Sequence, residues 1–510
     1  MSTARGALLV VGATSGAGKS TVVSALCRAL ARRGVQVAPF KAQNMSNHSA
    51  VTPDGGELGR AQAMQALAAR VETDRRMGPV LLKPSGARSS HVVVLGEEVA
   101  VDEADGYGER AVRLRTLVLR SLVGLRAMHE VVVLEGAGRA AEINLLDRDL
   151  VNLPLAAAAG IPAVLVVDID RGGAFASAYG TWALLPDRLR ERLVGVVFNS
   201  FRGDASLLAD GLRELEERTG LPVLGVLPHL GDHLMLGVED SLDLASPGRP
   251  APEPVGSEGA SARPLRVAVI HLPRLANPSD LDPLVLEPSV ELRWATRPGD
   301  LADADLIVLP GTRATVADLA WLRDRGLDRA LATSSARVLG ICGGYQLLGE
   351  VIHDEVESGA GTVPGLGLLP VATTFAAPKV VTRSSGVPDG PAGTPSVSGY
   401  QIRWGRPERH GSAQAWLHLE EGPEGCRSAD GRVLGTSLHG VLDSDGLRHG
   451  LLAEVAADRD RSFTPSGVPY ARALDAHLDH LADWVEAHLD VPGLLELART
   501  AVAPGAEPGW

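Results

Sequence analysis

Two tandem α/β domains are predicted by three features of this sequence. Short valine-rich apolar runs alternate with helical patterns on both sides of a central Pro/Gly/Ser-rich stretch. Each side carries one glycine-flanked strand–turn–helix motif with a reactive side chain on the turn. A chain of 510 residues is long enough for two to four domains. The stretch at 246–264, dense in proline and small residues and almost devoid of apolar ones, reads as a linker. It divides the chain into domains over 1–245 and 265–490, with 491–510 as a C-terminal tail.

The elements follow in order. Leu8–Val11, Val131–Leu134, Ala163–Val167 and Val194–Phe198 are four- or five-residue apolar runs bounded by glycine or charge, as strands buried on both faces of a parallel sheet would be. Thr21–Arg33 carries apolar residues at 22, 23, 25, 26, 29 and 30, which is one face of a helix. After the linker, Val267–Ile270, Leu306–Leu309 and Val338–Ile341 read as strands, and Val316–Arg325 and Tyr345–Val351 as helices. The loop-rich stretch Ser384–Val397 reads as an insertion in the second domain.

Composition narrows the functions. A formal charge of −13 argues against a nucleic-acid or anionic-membrane partner. Cys27, Cys342 and Cys426 lie far apart, which excludes a disulfide framework or a cysteine-rich zinc site and suits a reducing compartment. The most apolar stretch, Leu150–Val167, is broken by Asn152, Pro154, Gly160 and Pro162, and no signal peptide is recognisable. A soluble, cytoplasmic protein is the expectation. Of 49 basic side chains only Lys19, Lys41, Lys83 and Lys379 are lysines. In so arginine-rich a chain, three lysines within the first 83 residues point to phosphate or carboxylate contacts, where a compact charge differs from a planar fork.

Gly12-Ala-Thr-Ser-Gly16-Ala-Gly18-Lys19-Ser20-Thr21 follows the first strand and opens the first helix. Backbone N–H groups freed by the glycines and the helix N-terminus cradle phosphates, Lys19 reaches the terminal phosphates, and Ser20 can hold Mg²⁺. Ala13 occupies the first glycine position of the usual pattern. The motif predicts an ATP or GTP site. Glu135, at the end of Val131–Leu134 and before Gly136-Ala-Gly138, is a candidate Mg²⁺ ligand at the carboxyl end of a parallel strand. Glu57, in a segment read as beginning a helix, is a second.

In the second domain, Gly340-Ile-Cys342-Gly343-Gly344 places a cysteine on a strand-to-helix turn, a nucleophile elbow in cysteine form. A helix N-terminus raises thiolate fraction. His439, in Leu438-His-Gly440, is the candidate general base and acid. Gly311, closing another strand, and Gly343 offer N–H groups for an oxyanion hole. Cys27 reads as core and Cys426 as unrelated. A carboxylate commonly orients such a histidine, but Val441 stands two residues past His439 and Asp443 is only a candidate.

Together with these motifs, Pro39-Phe-Lys-Ala-Gln-Asn-Met-Ser46, Glu57-Leu-Gly-Arg-Ala-Gln62, Leu81-Leu-Lys-Pro84, Ala141-Glu-Ile-Asn144, Asp168-Ile-Asp-Arg-Gly-Gly173, Phe201-Arg-Gly-Asp204, Glu239-Asp-Ser241 and Leu272-Pro-Arg274 occur in order. The sequence thereby resembles the glutamine-hydrolysing cobyric acid synthase family. The resemblance implies a dethiobiotin synthetase-like phosphate-loop domain followed by a triad-type glutamine amidotransferase domain. It implies ATP and Mg²⁺ as cofactors, with Ser20, Glu57 and Glu135 around the metal and Asn199 beside the nucleotide. Lys41, Lys83, Asp147 and Asp149 would face phosphate and substrate, with Arg88, His91, Arg139 and Arg171 as further pocket residues. The implied reaction is amidation of four carboxylates of adenosylcobyrinic acid a,c-diamide, a corrinoid polycarboxylate, with glutamine as donor. Departures from the family pattern are Arg403 for the usual histidine, Gln401 for glutamate, Ser437 for tyrosine, Ser200 for the lysine after Asn199, and Leu153-Pro154 for Met-Gly. Rival readings are a cobyrinic acid a,c-diamide synthase, a partitioning-type nucleotide switch, and a regulatory protein with an inactive amidotransferase domain.

Overall fold

The computed structural model describes residues 5–84, 90–99, 107–231, 263–389 and 395–501. The stretch 246–262 of the expected linker, and Arg88, lie outside them.

The first domain is built on a six-stranded parallel sheet. Its order across the sheet is Val223–Pro228, Leu193–Phe201, Ala163–Asp168, Gly6–Gly12, Val131–Glu135 and Val37–Phe40. The four apolar runs seen in the sequence are four of these strands, one to four residues longer at their ends, and Val37–Phe40 and Val223–Pro228 add the two outer ones. Gly6–Gly12 is central, between strands reached in opposite directions, and a ligand site is expected in the crevice at its carboxyl end. The helix Lys19–Arg32 leaves from there. A smaller sheet of Gln43–Met45, Val80–Pro84, Ser90–Val94 and Glu97–Val99 carries Lys83 on its second strand. Glu57 lies in the short strand Glu57–Gly59, antiparallel to Ser49–Val51, and not in a helix; the helix begins at Arg60.

The second domain has a second parallel sheet, ordered Val290–Ala295, Leu265–Ile270, Leu306–Leu309, Arg337–Ile341 and Val433–Thr436, with Cys426–Arg427 antiparallel at the edge. A further sheet is dominated by a long antiparallel pair, Val371–Pro388 with Val397–Arg409. The stretch Ser384–Val397 is therefore not simply a loop-rich insertion: both ends belong to paired strands, and residues 390–394 lie outside the described residues. This ribbon reaches the first domain, where Arg383 donates from Nε to Val51 O at 2.9 Å and from Nη2 to Thr73 Oγ1 at 3.0 Å.

The expected boundary at 490 does not follow the packing. The helices Tyr470–His488 and Val491–Arg499 cross back to the first domain. Leu474, Leu478, Leu481, Trp484 and Leu494 share one core with Leu8, Val10, Leu26 and Leu30. Arg28, almost fully buried, donates from Nε to Asp479 Oδ1 at 2.8 Å and also pairs with Asp475, while Arg32 bonds Asp483 at 2.7 Å. These helices cover the same face of the first sheet as the helix Lys19–Arg32 and Met64 and Ala68 of the helix Arg60–Ala68. The segment expected as a tail is thus helical to Arg499 and part of the first domain's core. Among the described residues no helix is long and apolar enough to cross a membrane.

Candidate active site

The phosphate loop lies between Gly6–Gly12 and Lys19–Arg32. Gly16 and Gly18 have φ of +71° and +85°. At Gly18 a Cβ would also lie 2.1 Å from the Asn199 amide nitrogen. That amide donates to Ala17 O at 2.9 Å, so Asn199 braces the loop from the next-but-one strand. Lys19 donates from Nζ to Gly138 O at 3.1 Å. Ser20 Oγ donates to Glu135 Oε1 at 2.8 Å, the Lys41 ammonium reaches the same oxygen at 2.7 Å, and Gln65 Nε2 donates to Oε2 at 2.5 Å. Thr21 is buried in the first helical turn. Loop, lysines and carboxylate thus converge where three parallel strands end.

The remaining expected contacts divide. Glu57 does not share the partners of Ser20 and Glu135. Its carboxylate is taken by Lys83 on one side and by Lys379 Nζ, 2.7 Å away, on the other. Burial alone would raise its pKa, but Lys379 and Lys83 hold the carboxyl well below the usual range. Lys83 is itself pushed down to about 8 by burial, partly offset by Glu57. Glu57 thus lies between two ammonium groups, apart from the cluster of Ser20, Lys41 and Glu135. Asp149 accepts from the N–H of Val151 at 2.7 Å and of Asn152 at 2.9 Å, and orients the Asn152 amide onto Ala137 O. Asp147 is exposed. Arg139 and Arg171 are exposed in local pairs with Glu142 and Asp168, and His91 pairs with Glu98.

In the second domain Ile341 and Thr436 are register partners on adjacent parallel strands. The turn following one strand carries Cys342 and the turn following the other carries His439, so both emerge at the same sheet end. Cys342 has φ +51° and ψ −110°, a backbone conformation that non-glycine residues avoid and that the surrounding structure must enforce. The turn packs closely against the neighbouring strand end: a Cβ on Gly344 would lie 1.9 Å from Leu309 O. Gly343 heads the helix Gly343–Leu348, where first-turn N–H groups have no intrahelical acceptor. A Cβ on Gly311 would lie 3.1 Å from His439 Cε1 and 3.8 Å from Cys342 Cβ. The oxyanion candidates therefore flank the cysteine and histidine.

The carboxylate beside His439 is Asp280, not Asp443. Asp280 Oδ2 lies 2.7 Å from His439 Nδ1, and Oδ1 accepts the Gly440 N–H at 2.9 Å. Burial disfavours charge on the imidazole, yet Asp280 and Cys342 hold its pKa up at about 10. Asp443, pushed to about 7 chiefly by burial, lies instead beside Gly440, where a Cβ would meet its Oδ2 at 3.3 Å. Tyr400 stacks on His439 with centroids 5.2 Å apart, and the two exchange backbone hydrogen bonds of 2.9 and 3.1 Å. Sequence reasoning missed Asp280 because it lies 159 residues away; the Asn277-Pro-Ser-Asp280 turn just after Leu272-Pro-Arg274 was the available signal. A cysteine with a carboxylate-oriented histidine and nearby N–H donors is an arrangement that can form and hydrolyse a thioester.

The three departures from the family pattern that lie in the second domain are accommodated. Arg403 donates from Nε to Gln401 Oε1 at 3.0 Å and from Nη1 to Gly405 O at 2.7 Å. The Ser437 N–H donates to Glu424 at 2.7 Å. Cys27 and Cys426 are buried, and burial pushes both thiols up, Cys426 to about 11. A cavity at Cys342 and His439 is lined also by Arg403, Lys379 and, from the first domain, Ser49 and Lys83.

The family described as the CobQ/CobB/MinD/ParA nucleotide binding domain matches residues 8–232. The CobB/CobQ-like glutamine amidotransferase domain matches 266–447. Cobyric acid synthases from Frankia casuarinae, Rhodococcus jostii and Nocardia farcinica are each 50% identical to this chain. Each alignment covers 98% of this chain and 97–98% of the relative. With half its residues shared over nearly its whole length, the chain belongs to the cobyric acid synthase family, the glutamine-dependent ligases of cobalamin biosynthesis.

Proposed function

We propose that this protein converts adenosylcobyrinic acid a,c-diamide to adenosylcobyric acid, amidating the b, d, e and g carboxylates with ammonia from glutamine at the expense of ATP. The observation that carries the reading is the cavity in which Cys342 and His439 face Ser49 and Lys83 of the phosphate-loop domain. Ammonia released at the cysteine would leave into a cavity that the phosphate-loop domain helps to line.

A carboxylate is a poor acyl donor. In the first domain its oxygen attacks the γ-phosphorus of ATP, ADP leaves, and an acyl phosphate forms. Lys19 and Lys41 stabilise the charge developing on the transferred group. Ser20 and Glu135 are hard oxygen donors suited to Mg²⁺, which supplies further charge neutralisation when bound. Asn199 keeps the loop in shape through Ala17 O. In the second domain Cys342 attacks the glutamine amide carbon, with Gly311 and Gly343 serving the oxyanion. His439, oriented by Asp280, gives the proton to departing ammonia and then activates the water that releases glutamate. Ammonia displaces phosphate from the acyl phosphate, leaving the amide. In this reading the nucleotide domain runs over 1–245, supplemented by the helices after 470, and the glutaminase domain begins at 265. The absence of a membrane-crossing helix among the described residues is consistent with a cytoplasmic location.

Mass spectrometry of the diamide incubated with protein, ATP, Mg²⁺ and glutamine tests the substrate. Stepwise acid-to-amide conversion through four additions is expected. Conversion of cobyrinic acid to its a,c-diamide, with none of the diamide itself, would reassign the chain to the a,c-diamide synthases.

A further inference from the structure

The cysteine site is completed by the other domain. Asp280, which fixes His439, sits in the 3₁₀ turn Pro278–Leu281, and its N–H donates to Asn277 O at 3.1 Å. Asn277 opens that turn at φ +51°, a left-handed conformation that asparagine tolerates better than most residues. It is buried, and the first domain holds it at two points. Its Oδ1 accepts the Ser49 N–H at 2.8 Å, and its own N–H donates to His48 Nδ1 at 3.2 Å. The preceding residue, Ala276, donates its N–H to Gly311 O at 2.9 Å, so the same turn also touches the oxyanion strand end. On the far side, Ser49 Oγ accepts from Lys83 Nζ at 3.0 Å, and Lys83 pairs with Glu57.

We propose that Asn277 is a positioning residue through which the first domain sets the His439–Asp280 pair, so that glutamine turnover at full rate requires the His48–Ser49 loop in this place. The proposal rests on the reading of Cys342 and His439 as the glutaminase centre. Its physical basis is that removing the Asn277 side chain strands the buried Ser49 N–H and frees the turn that carries Asp280. A displacement of about 1 Å at a general base is enough to slow the chemical step greatly. Asn277 lines the cavity beside Cys342 with its side-chain oxygen taken by the Ser49 N–H, so its loss should act on the rate of the glutamine half-reaction.

The full-length protein is compared with Asn277→Gly, which keeps the backbone conformation accessible, Asn277→Asp, which keeps an acceptor for Ser49, and His48→Ala. Glutamate release and amide formation are measured with glutamine and, separately, with ammonium salt. Asn277→Gly should lower kcat for glutamate release about tenfold or more. Its KM for glutamine and its ammonia-driven amidation should stay within about twofold of the parent. Asn277→Asp should recover most of the rate, and His48→Ala should fall in the same direction by less. Unchanged glutamate release in Asn277→Gly overturns the proposal. So does an equal loss of ammonia-driven amidation, or no recovery in Asn277→Asp, because either marks a general structural role. Glutamate release surviving in Cys342→Ala would instead bring down the reading of the cysteine site, whatever the Asn277 variants do.

Discussion

The phosphate-loop site and the cysteine site share a local plan and differ in what completes them. Both put the reactive side chain on the turn after a buried parallel strand, at the start of a helix. In the first domain the partners come from the same sheet: Glu135 ends the neighbouring strand and Asn199 lies near the end of the next but one. In the second, the histidine comes from the neighbouring strand, but its carboxylate comes from a turn clamped by the other domain. The nucleotide site is thus assembled by one fold, whereas the cysteine site depends on docking. That difference suits an enzyme in which releasing ammonia without an acceptor in place would waste glutamine.

The largest expected effect separates the two sites outright. Cys342→Ala should reduce glutamine-driven amidation by at least about 10³-fold while leaving ammonia-driven amidation intact. Lys19→Ala should reduce amidation from either nitrogen source by about 10²–10³-fold, because it removes charge stabilisation from phosphoryl transfer. Steady-state assays with both donors read the pair, and equal losses in both variants would mean that the sites are not separable.

Asp280→Asn comes next and probes the dependence on docking. Loss of the oriented carboxylate should lower glutamine turnover by about 10²–10⁴-fold, with ammonia use preserved. A pH signature accompanies it. His439 is held up at about 10 from an ordinary 6.5, so its contribution to stability is fully present below about 6.5 and is lost as pH rises through about 10. The parent's stability advantage over Asp280→Asn should therefore be largest near pH 6 and shrink toward pH 10. Denaturant melts at the two pH values measure it, and an advantage that grew with pH would contradict the pairing.

What the sequence revealed follows the same divide. The strand–loop–helix units around Lys19 and Cys342 were legible because each is local: an apolar run, glycines where the backbone must approach or turn, then a helix. Asp280 was not legible, since an aspartate in a Pro-Ser-Asp turn looks like ordinary loop chemistry until the sheet brings it to His439. Glu57 was misplaced for a related reason. Its segment has the composition of a helix start, yet Glu57–Gly59 pairs with Ser49–Val51, and its charge is answered by Lys379 from the other domain. The amphipathic pattern of Tyr470–His488 was readable, but nothing local says which sheet it covers. The clue was complementary spacing: Asp475, Asp479 and Asp483 repeat every fourth residue and face Arg28 and Arg32, with Glu486 next in line facing Arg33.

The helix that carries these aspartates provides a smaller effect. Leu478 is fully buried in the core shared with Leu26 and Leu30, so Leu478→Ala should destabilise the phosphate-loop domain by about 2–5 kcal/mol. Were the helix merely the end of the glutaminase domain, the loss would appear in that domain's transition instead. Differential scanning calorimetry with and without nucleotide separates the cases, because nucleotide stabilises only the domain that binds it.

Arg383→Ala should do least. The side chain is exposed, and its bonds to Val51 O and Thr73 Oγ1 compete with water, so the cost to stability should stay under about 1 kcal/mol. Its interest lies in position. Arg383 and Lys379 stand on one strand of the ribbon, but Lys379 is buried against Glu57 beside the shared cavity while Arg383 grips the outer edge. If docking depends on the buried end, Arg383→Ala leaves glutamine-driven amidation within about twofold of the parent, whereas Lys379→Met lowers it with little change in the folding transition. Equal effects of the two would mean that the ribbon docks as a whole and that no single contact near the cavity governs the cysteine site.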